Sequence, residues 1–206
     1  MIDANRKQQN AIVVSLCGPS NAGKSQLAKA TVAALGSEVA SRVPVDYFFI
    51  PRPESVSLDA FFSQPLGWDW DLLRERLALP VGTRTSTPDA DFDAFQRRAP
   101  DGGPGFTVRP IMLCDAMAPF PQSDLIALID VSDTQRLRRV AERDLPWGTS
   151  VGNRWMHLEE TWGNVSKELG PDLVLDGMEP LAVNAGNLCQ TISALFVIDR
   201  TTTIEE

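Results

Sequence analysis

Gly18-Pro19-Ser20-Asn21-Ala22-Gly23-Lys24-Ser25 fits the pattern Gly-x-x-x-x-Gly-Lys-Ser, a loop that cradles nucleotide phosphates. Its flanks carry the context the pattern needs. Before it, Ala11-Ile12-Val13-Val14-Ser15-Leu16-Cys17 is an apolar, β-branched run that reads as a buried strand. After it, Lys24 to Leu35 is rich in Ala and Leu and reads as a helix, with Gly36 as its C-terminal cap. Glycines let successive backbone N–H groups turn toward one anion, and the helix N-terminus adds positive potential. Gly18 through Gln26 is therefore the expected nucleotide-binding stretch. Lys24 is expected to reach the β- and γ-phosphates, and the Ser25 hydroxyl to ligate Mg²⁺. The pattern alone would arise by chance in roughly one per cent of chains this long, and the flanking strand and helix lower that further.

Length and composition set the frame. A chain of 206 residues is expected to be one domain with a small lid. It divides into a flexible tail at 1–10, a single domain at 11–198 and an acidic tail at 199–206. The net charge of −8 argues against a broad nucleic-acid or anionic-membrane surface, which needs clustered cations. Arg outnumbers Lys, which suits forked recognition of phosphate. Cys17, Cys114 and Cys189 are far apart and read as small core residues of a reducing compartment. With His157 as the one histidine, a Cys/His zinc site is not expected. The first apolar run is the strand before the loop rather than a leader, and no run approaches the ~20 residues of a membrane span. A cytoplasmic protein is expected.

Further along, Val43 to Ile50 reads as a second strand, which sets Asp46 beside Lys24 at the carboxyl end of an open α/β sheet, where ligands sit. Leu58 to Phe62 is a short apolar segment, and Pro65 to Leu73 leads into a helix through about Leu79. Residues 83–109 show little periodicity and many turn formers, and read as a long functional loop on the substrate side. Pro110 to Asp115 and Asp124 to Val131 read as buried strands. A helix is expected from Ser132 to Arg143, where Ser132 and Gln135 make a capping-box pattern and Arg136, Arg139 and Arg143 form a stripe. A lid loop follows, at about 143–156, then a helix from Arg154 to Leu169 with Asn153 as its N-cap. Asp172 to Asp176 is a fifth strand, and Val183 to Phe196 a closing helix. Strands alternating with helices mean a parallel sheet with right-handed crossovers.

From Ala11 to Phe196 the chain resembles the uridine kinase and nicotinamide riboside kinase group of P-loop kinases. The phosphate loop, Asp46-Tyr47-Phe48-Phe49, the Pro65 to Leu73 segment, and Pro88, Asp91, Phe92 and Arg97 carry the likeness. So do Ile111 to Phe120, the Arg136 to Asp144 helix and Asp172 to Gly177. The resemblance implies an α/β, three-layer P-loop NTPase fold with a five-stranded parallel sheet and a small helical lid. It implies ATP and Mg²⁺ as cofactors and a small hydroxyl-bearing molecule as acceptor, with a homodimer compatible. Asp46 is implied as the group that takes the acceptor's proton, Asp115 with Ser25 as the metal ligands, and Lys24, Arg139 and Arg143 as phosphoryl contacts. Asp46, Phe48, Asp69, Arg97 and Arg136 fall on the substrate side. The pyrimidine-reading Tyr and His of the family are Ala90 and Phe95 here, and the acidic residue before the proline segment is Ser63. The expected acceptor is therefore not uridine but another nucleoside-like compound, sugar or vitamin precursor.

Two other readings stand beside the kinase. One is a P-loop ATPase or GTPase acting as a switch or assembly factor. A GTPase needs an Asn-Lys-x-Asp motif, and Asn184-Ala185-Gly186-Asn187 is not one. The other is a kinase of hydroxylated bases within DNA, against which the acidic charge counts.

Overall fold

The computed structural model describes residues 11–144 and 151–202. The expected N-terminal tail, residues 145–150 of the lid and residues 203–206 lie outside the described residues. β1 (Ile12–Cys17) runs through the glycine loop into α1 (Lys24–Leu35). β2 (Ala40–Pro44) follows, then a turn of 3-10 helix (Val45–Phe48), α2 (Leu58–Phe62) and α3 (Trp70–Leu77). β3 (Arg84–Asp91) and β4 (Gln96–Thr107) precede β5 (Ile111–Asp115) and β6 (Leu125–Asp130). α4 (Asp133–Asp144), α5 (Val151–Glu168), β7 (Leu173–Asp176) and α6 (Leu181–Thr202) complete the order.

Five strands form one parallel sheet in the order β2-β5-β1-β6-β7. Parallel strands are covered on both faces, which is why β1 and β5 are continuous apolar runs rather than alternating ones. Successive residues of β1 point to opposite faces and join separate cores. Val14 and Leu16 pack with Leu27 and Ala28 of α1 and Leu188 and Ile192 of α6. Val13 packs with Met112, Leu73 of α3 and Phe120, and with Phe106 and Val108 at the end of β4, while Leu158 and Trp162 of α5 close that side. Each such side chain, wholly removed from water, contributes about 1.5–3 kcal/mol. The result is the expected three-layer α/β architecture with its five-stranded parallel sheet.

Three expectations need correction. The second strand does not run from Val43 to Ile50. Its pairing with β5 ends at Pro44 opposite Asp115, the last residue of β5, and the chain then turns through Val45–Phe48 with Asp46 in the first turn. Residues 83–109 are not an irregular loop but an antiparallel ribbon of β3 and β4. Its prolines and glycines are absorbed as register shifts between Ser86 and Ala90, so the period-2 signal is lost while the backbone stays paired. A Cβ at Gly103 would lie 2.1 Å from the Pro88 carbonyl oxygen, so the irregular stretch itself specifies glycine. Finally, helix ends differ. α3 starts at Trp70, capped by the Asp69 carboxylate, which accepts from Leu72 N–H at 3.1 Å. α5 already includes Asn153, and α6 runs from Leu181 to Thr202, into the stretch expected as tail.

Candidate active site

The glycine loop is held by backbone geometry that few residues tolerate. Gly18 has φ 149° and Gly23 φ 104°. A Cβ on Gly18 would also stand 2.9 Å from the Ile129 carbonyl oxygen of β6. Lys24 lies across the loop, its ammonium donating to the carbonyls of Gly18 (2.9 Å) and Pro19 (2.8 Å). Arg139 reaches in from α4. One guanidinium nitrogen donates to the carbonyls of Asn21 (3.1 Å) and Ala22 (3.0 Å), the other to Gly177 after β7 (2.9 Å). A planar fork suits this triple contact, which ties the loop to two elements distant in sequence. Arg143 belongs to α4, but its side chain lies outside the described residues.

Parallel register brings the two candidate metal ligands together. Asp115 ends β5 opposite Leu16 of β1, beside the point where the chain enters the loop. Its carboxylate accepts from the Ser25 hydroxyl at 2.5 Å. It also takes two parallel bonds from Arg42 of β2, both 2.9 Å, and is almost fully buried. A serine hydroxyl and a carboxylate are hard oxygen donors. Magnesium in phosphate sites takes only one or two protein ligands and fills the rest of its shell with water and phosphate oxygens. The residues present fit Mg²⁺ in that role. Among the described residues no group of three or more His, Cys, Asp or Glu side chains could hold a metal by itself.

A cleft of about 940 Å³ opens over the loop. Ser20 through Leu27, Arg139 and Asp46 are among the residues that line it. On one side lie Ile129, Gly177, Glu179, Leu181 and Asn184, and on the other Phe49, Phe62, Leu66, Trp68, Phe92 and Phe95. Asn184 is pinned by its amide nitrogen donating to the Asp176 carbonyl at 2.7 Å. The apolar wall is one interlocked group. Phe95 sits 5.3 Å from Phe49 and 4.9 Å from Phe62, and Phe92 5.5 Å from Phe49, all tilted or edge-on as ring quadrupoles prefer.

Lys24, Ser25, Asp46, Arg139 and the loop thus converge on one cleft, with Asp115 behind Ser25. The structure does not bring Phe48, Asp69, Arg97 or Arg136 to it. Phe48 is fully buried in the core beneath the turn. Arg97 donates to Asp69 (2.8 Å) and to the carbonyls of Phe48 and Phe49 (3.0 and 2.5 Å), so the two ionic residues brace the turn instead of facing an acceptor. Burial alone would raise the Asp69 carboxyl, but the Arg97 bond, the Leu72 N–H and the Arg97 charge hold it below the usual carboxylate value. Arg136, expected on the substrate side, is buried and donates to Glu159 of α5 (2.6 and 2.8 Å) and to Asp133 (2.6 Å). Arg42, Asn184 and the aromatic wall escaped the sequence reading. Nothing local marks Arg42, because only the register of β2 on β5 sets it against Asp115.

No family model matches the chain, and a search of the curated proteins finds no match. Solved structures do resemble it. A possible uridine kinase from Bacillus stearothermophilus superposes with a TM-score of 0.50 at 16% identity, over 81% of this chain and 89% of that one. A sugar kinase from Janibacter sp. HTCC2649 gives 0.50 at 16%, over 89% and 95%. A gluconokinase from Sinorhizobium meliloti 1021 gives 0.47 at 14%, over 91% and 98%. The chain shares its fold with the first two of these kinases. At these identities the likeness to P-loop kinases extends to architecture and leaves the acceptor open. No helix among the described residues is long and apolar enough to cross a membrane.

Proposed function

We propose that the protein is a phosphotransferase that moves the γ-phosphoryl group of ATP to a hydroxyl of a small molecule. The observation that carries this reading is the shared cleft, which Lys24 and Ser25 of the phosphate loop line together with Asp46. The resemblance to small-molecule P-loop kinases supports phosphoryl transfer in general. An ATPase or GTPase switch has no use for an aspartate lining an acceptor-sized space beside the phosphate loop.

Phosphoryl transfer needs alignment and charge neutralisation more than covalent help. The loop N–H groups hold the β- and γ-phosphates, and Lys24 exchanges its two loop carbonyls for phosphate oxygens. Ser25 and Asp115 would hold Mg²⁺, which would supply Lewis-acid neutralisation of the phosphate charge. Arg42 keeps the Asp115 carboxylate oriented toward Ser25. Asp46 aligns the acceptor hydroxyl and takes its proton. The acceptor oxygen then forms a bond to the γ-phosphorus as the bond to the bridging oxygen breaks, and ADP leaves with that electron pair. Arg139 reaches the transferring phosphoryl group by releasing the Asn21 and Ala22 carbonyls, and Arg143, four residues further along α4, is assigned the same role. A cytoplasmic location belongs to the same reading.

The test is ADP release with Mg²⁺-ATP across a panel of alcohols, with Lys24→Ala as control. Release stimulated by one compound, which gains the mass of one phosphoryl group, supports the transferase. Release independent of every compound overturns it in favour of the ATPase.

A further inference from the structure

We propose that the acceptor side of the cleft takes an uncharged, flat heteroaromatic alcohol rather than a polyol or a hydroxy acid. The inference rests on the phosphotransferase reading above and names the acceptor class for that site.

Four observations meet here. First, the wall beside Asp46 is built from rings of three separate elements. Phe49 follows the 3-10 turn, Phe62 ends α2, and Phe92 and Phe95 come from the connection between β3 and β4. Their tilted and edge-on contacts shape a surface for a further ring. Second, charge recognition is missing. Among the described residues the cations lining the cleft are Lys24 and Arg139, both at the phosphate loop. Of the arginines beside the wall, Arg97 is tied to Asp69 and two carbonyls, and Arg52 to the carbonyls of Ala94 and Val56. A carboxylate would find no partner, and a polyol would bury hydroxyls against rings that cannot bond them. Third, two cleft-lining residues carry orphaned donors, the Asn21 amide at the phosphate loop and the Trp68 indole beside the aromatic wall. Trp68 is nine-tenths buried, lines the cleft, and its indole N–H has no partner among the described residues. An acceptor carrying a ring nitrogen or ring carbonyl would satisfy the Trp68 donor. Fourth, Phe95 keeps its ring at φ 49°, a left-handed conformation costly for a bulky side chain and usual for Gly or Asn. Its carbonyl is clamped by the Arg52 N–H at 2.8 Å. Strain of this kind collects at ligand sites.

The experiment is a ligand-observed NMR titration of the full chain with Mg²⁺-ADP present. Quinolin-3-ylmethanol, naphthalen-2-ylmethanol, D-ribose and D-gluconate are the probes, and phosphorylation of each is followed separately with Mg²⁺-ATP. Quinolin-3-ylmethanol is expected to bind at least about tenfold more tightly than ribose or gluconate. Phe95→Asn, which suits the backbone and removes the ring, is expected to weaken it at least about fivefold in a chain that circular dichroism shows to be folded. Trp68→Phe is expected to erase its advantage over the naphthalene. Ribose or gluconate binding as well as the quinoline, or ring binding indifferent to Phe95→Asn, would overturn the proposal. Ring-alcohol binding with no phosphorylated product would sink the transferase and leave the ring site standing. Phosphorylation of a polyol without ring-alcohol binding would do the reverse.

Discussion

Lys24 and Asp46 approach the same cleft with opposite charges and from elements 22 positions apart, so their substitutions should separate binding from transfer. Lys24→Ala removes the cation that moves from loop carbonyls to phosphate and should raise the barrier by roughly 3–4 kcal/mol, a loss of about 10²–10³ in rate. Asp46→Asn keeps the shape and loses the base, so nucleotide titration should be unchanged while transfer falls about 10²–10⁴-fold. Near-normal turnover in the first, or lost nucleotide binding in a folded second, would reverse these roles. Asp69 makes a different prediction. Its folded pKa is depressed, so its ion pair with Arg97 stabilises the fold above the unfolded value of about 3.9 and is lost as pH falls through the folded value. The difference in unfolding free energy between the wild type and Asp69→Asn should be constant from pH 7 to about 5 and shrink below about 4. A difference that grows on acidification contradicts the assignment.

At the scale of elements, the β3–β4 ribbon and the α4–α5 pair explain where the substrate-side residues went. The ribbon sends Arg97 inward to hold the 3-10 turn, and it sends Phe92 and Phe95 to the cleft. Gly103→Ala would drive a Cβ into the Pro88 carbonyl and should cost about 1–3 kcal/mol in denaturant unfolding. Because Phe106 at the ribbon's end belongs to the core, that loss should appear in the single global transition. An unchanged midpoint would mean the ribbon yields without cost. In α4 the arginine stripe divides by partner rather than by face. Arg136 binds α5, Arg139 binds the phosphate loop, and each takes the nearest acceptors that packing provides.

The whole molecule depends on a sheet whose strand ends deliver chemistry to one edge, and its burial controls the thiols. Cys17, just before the loop, is pushed up to about 12 by burial despite the Lys24 charge, and burial raises Cys114 further. Cys189 on α6 is only partly buried and less shifted. Since the thiolate is the nucleophile, native protein treated with iodoacetamide at pH 8 should label Cys189 first and Cys17 and Cys114 only on unfolding. Labelling of Cys17 as fast as Cys189, read by peptide mass spectrometry, would show that β1 opens. Much of this architecture was legible beforehand, because its signals are local. A glycine loop between an apolar strand and an Ala-rich helix, and apolar runs of buried parallel strands, follow from short stretches of chain. Hence Gly18 to Ser25, the sheet and the helix order could be read directly, and Asp115 as a strand-end carboxylate, whereas Asp46 lies on the 3-10 turn beyond β2. What only the tertiary structure decided are pairings between remote residues. They include Arg42 with Asp115, Arg97 with Asp69, Arg136 with Glu159, and the meeting of Phe49, Phe62 and Phe95. An arginine reads the same in sequence whether it faces ligand, carboxylate or carbonyl. Register and packing choose its partner, and neither is written within one element.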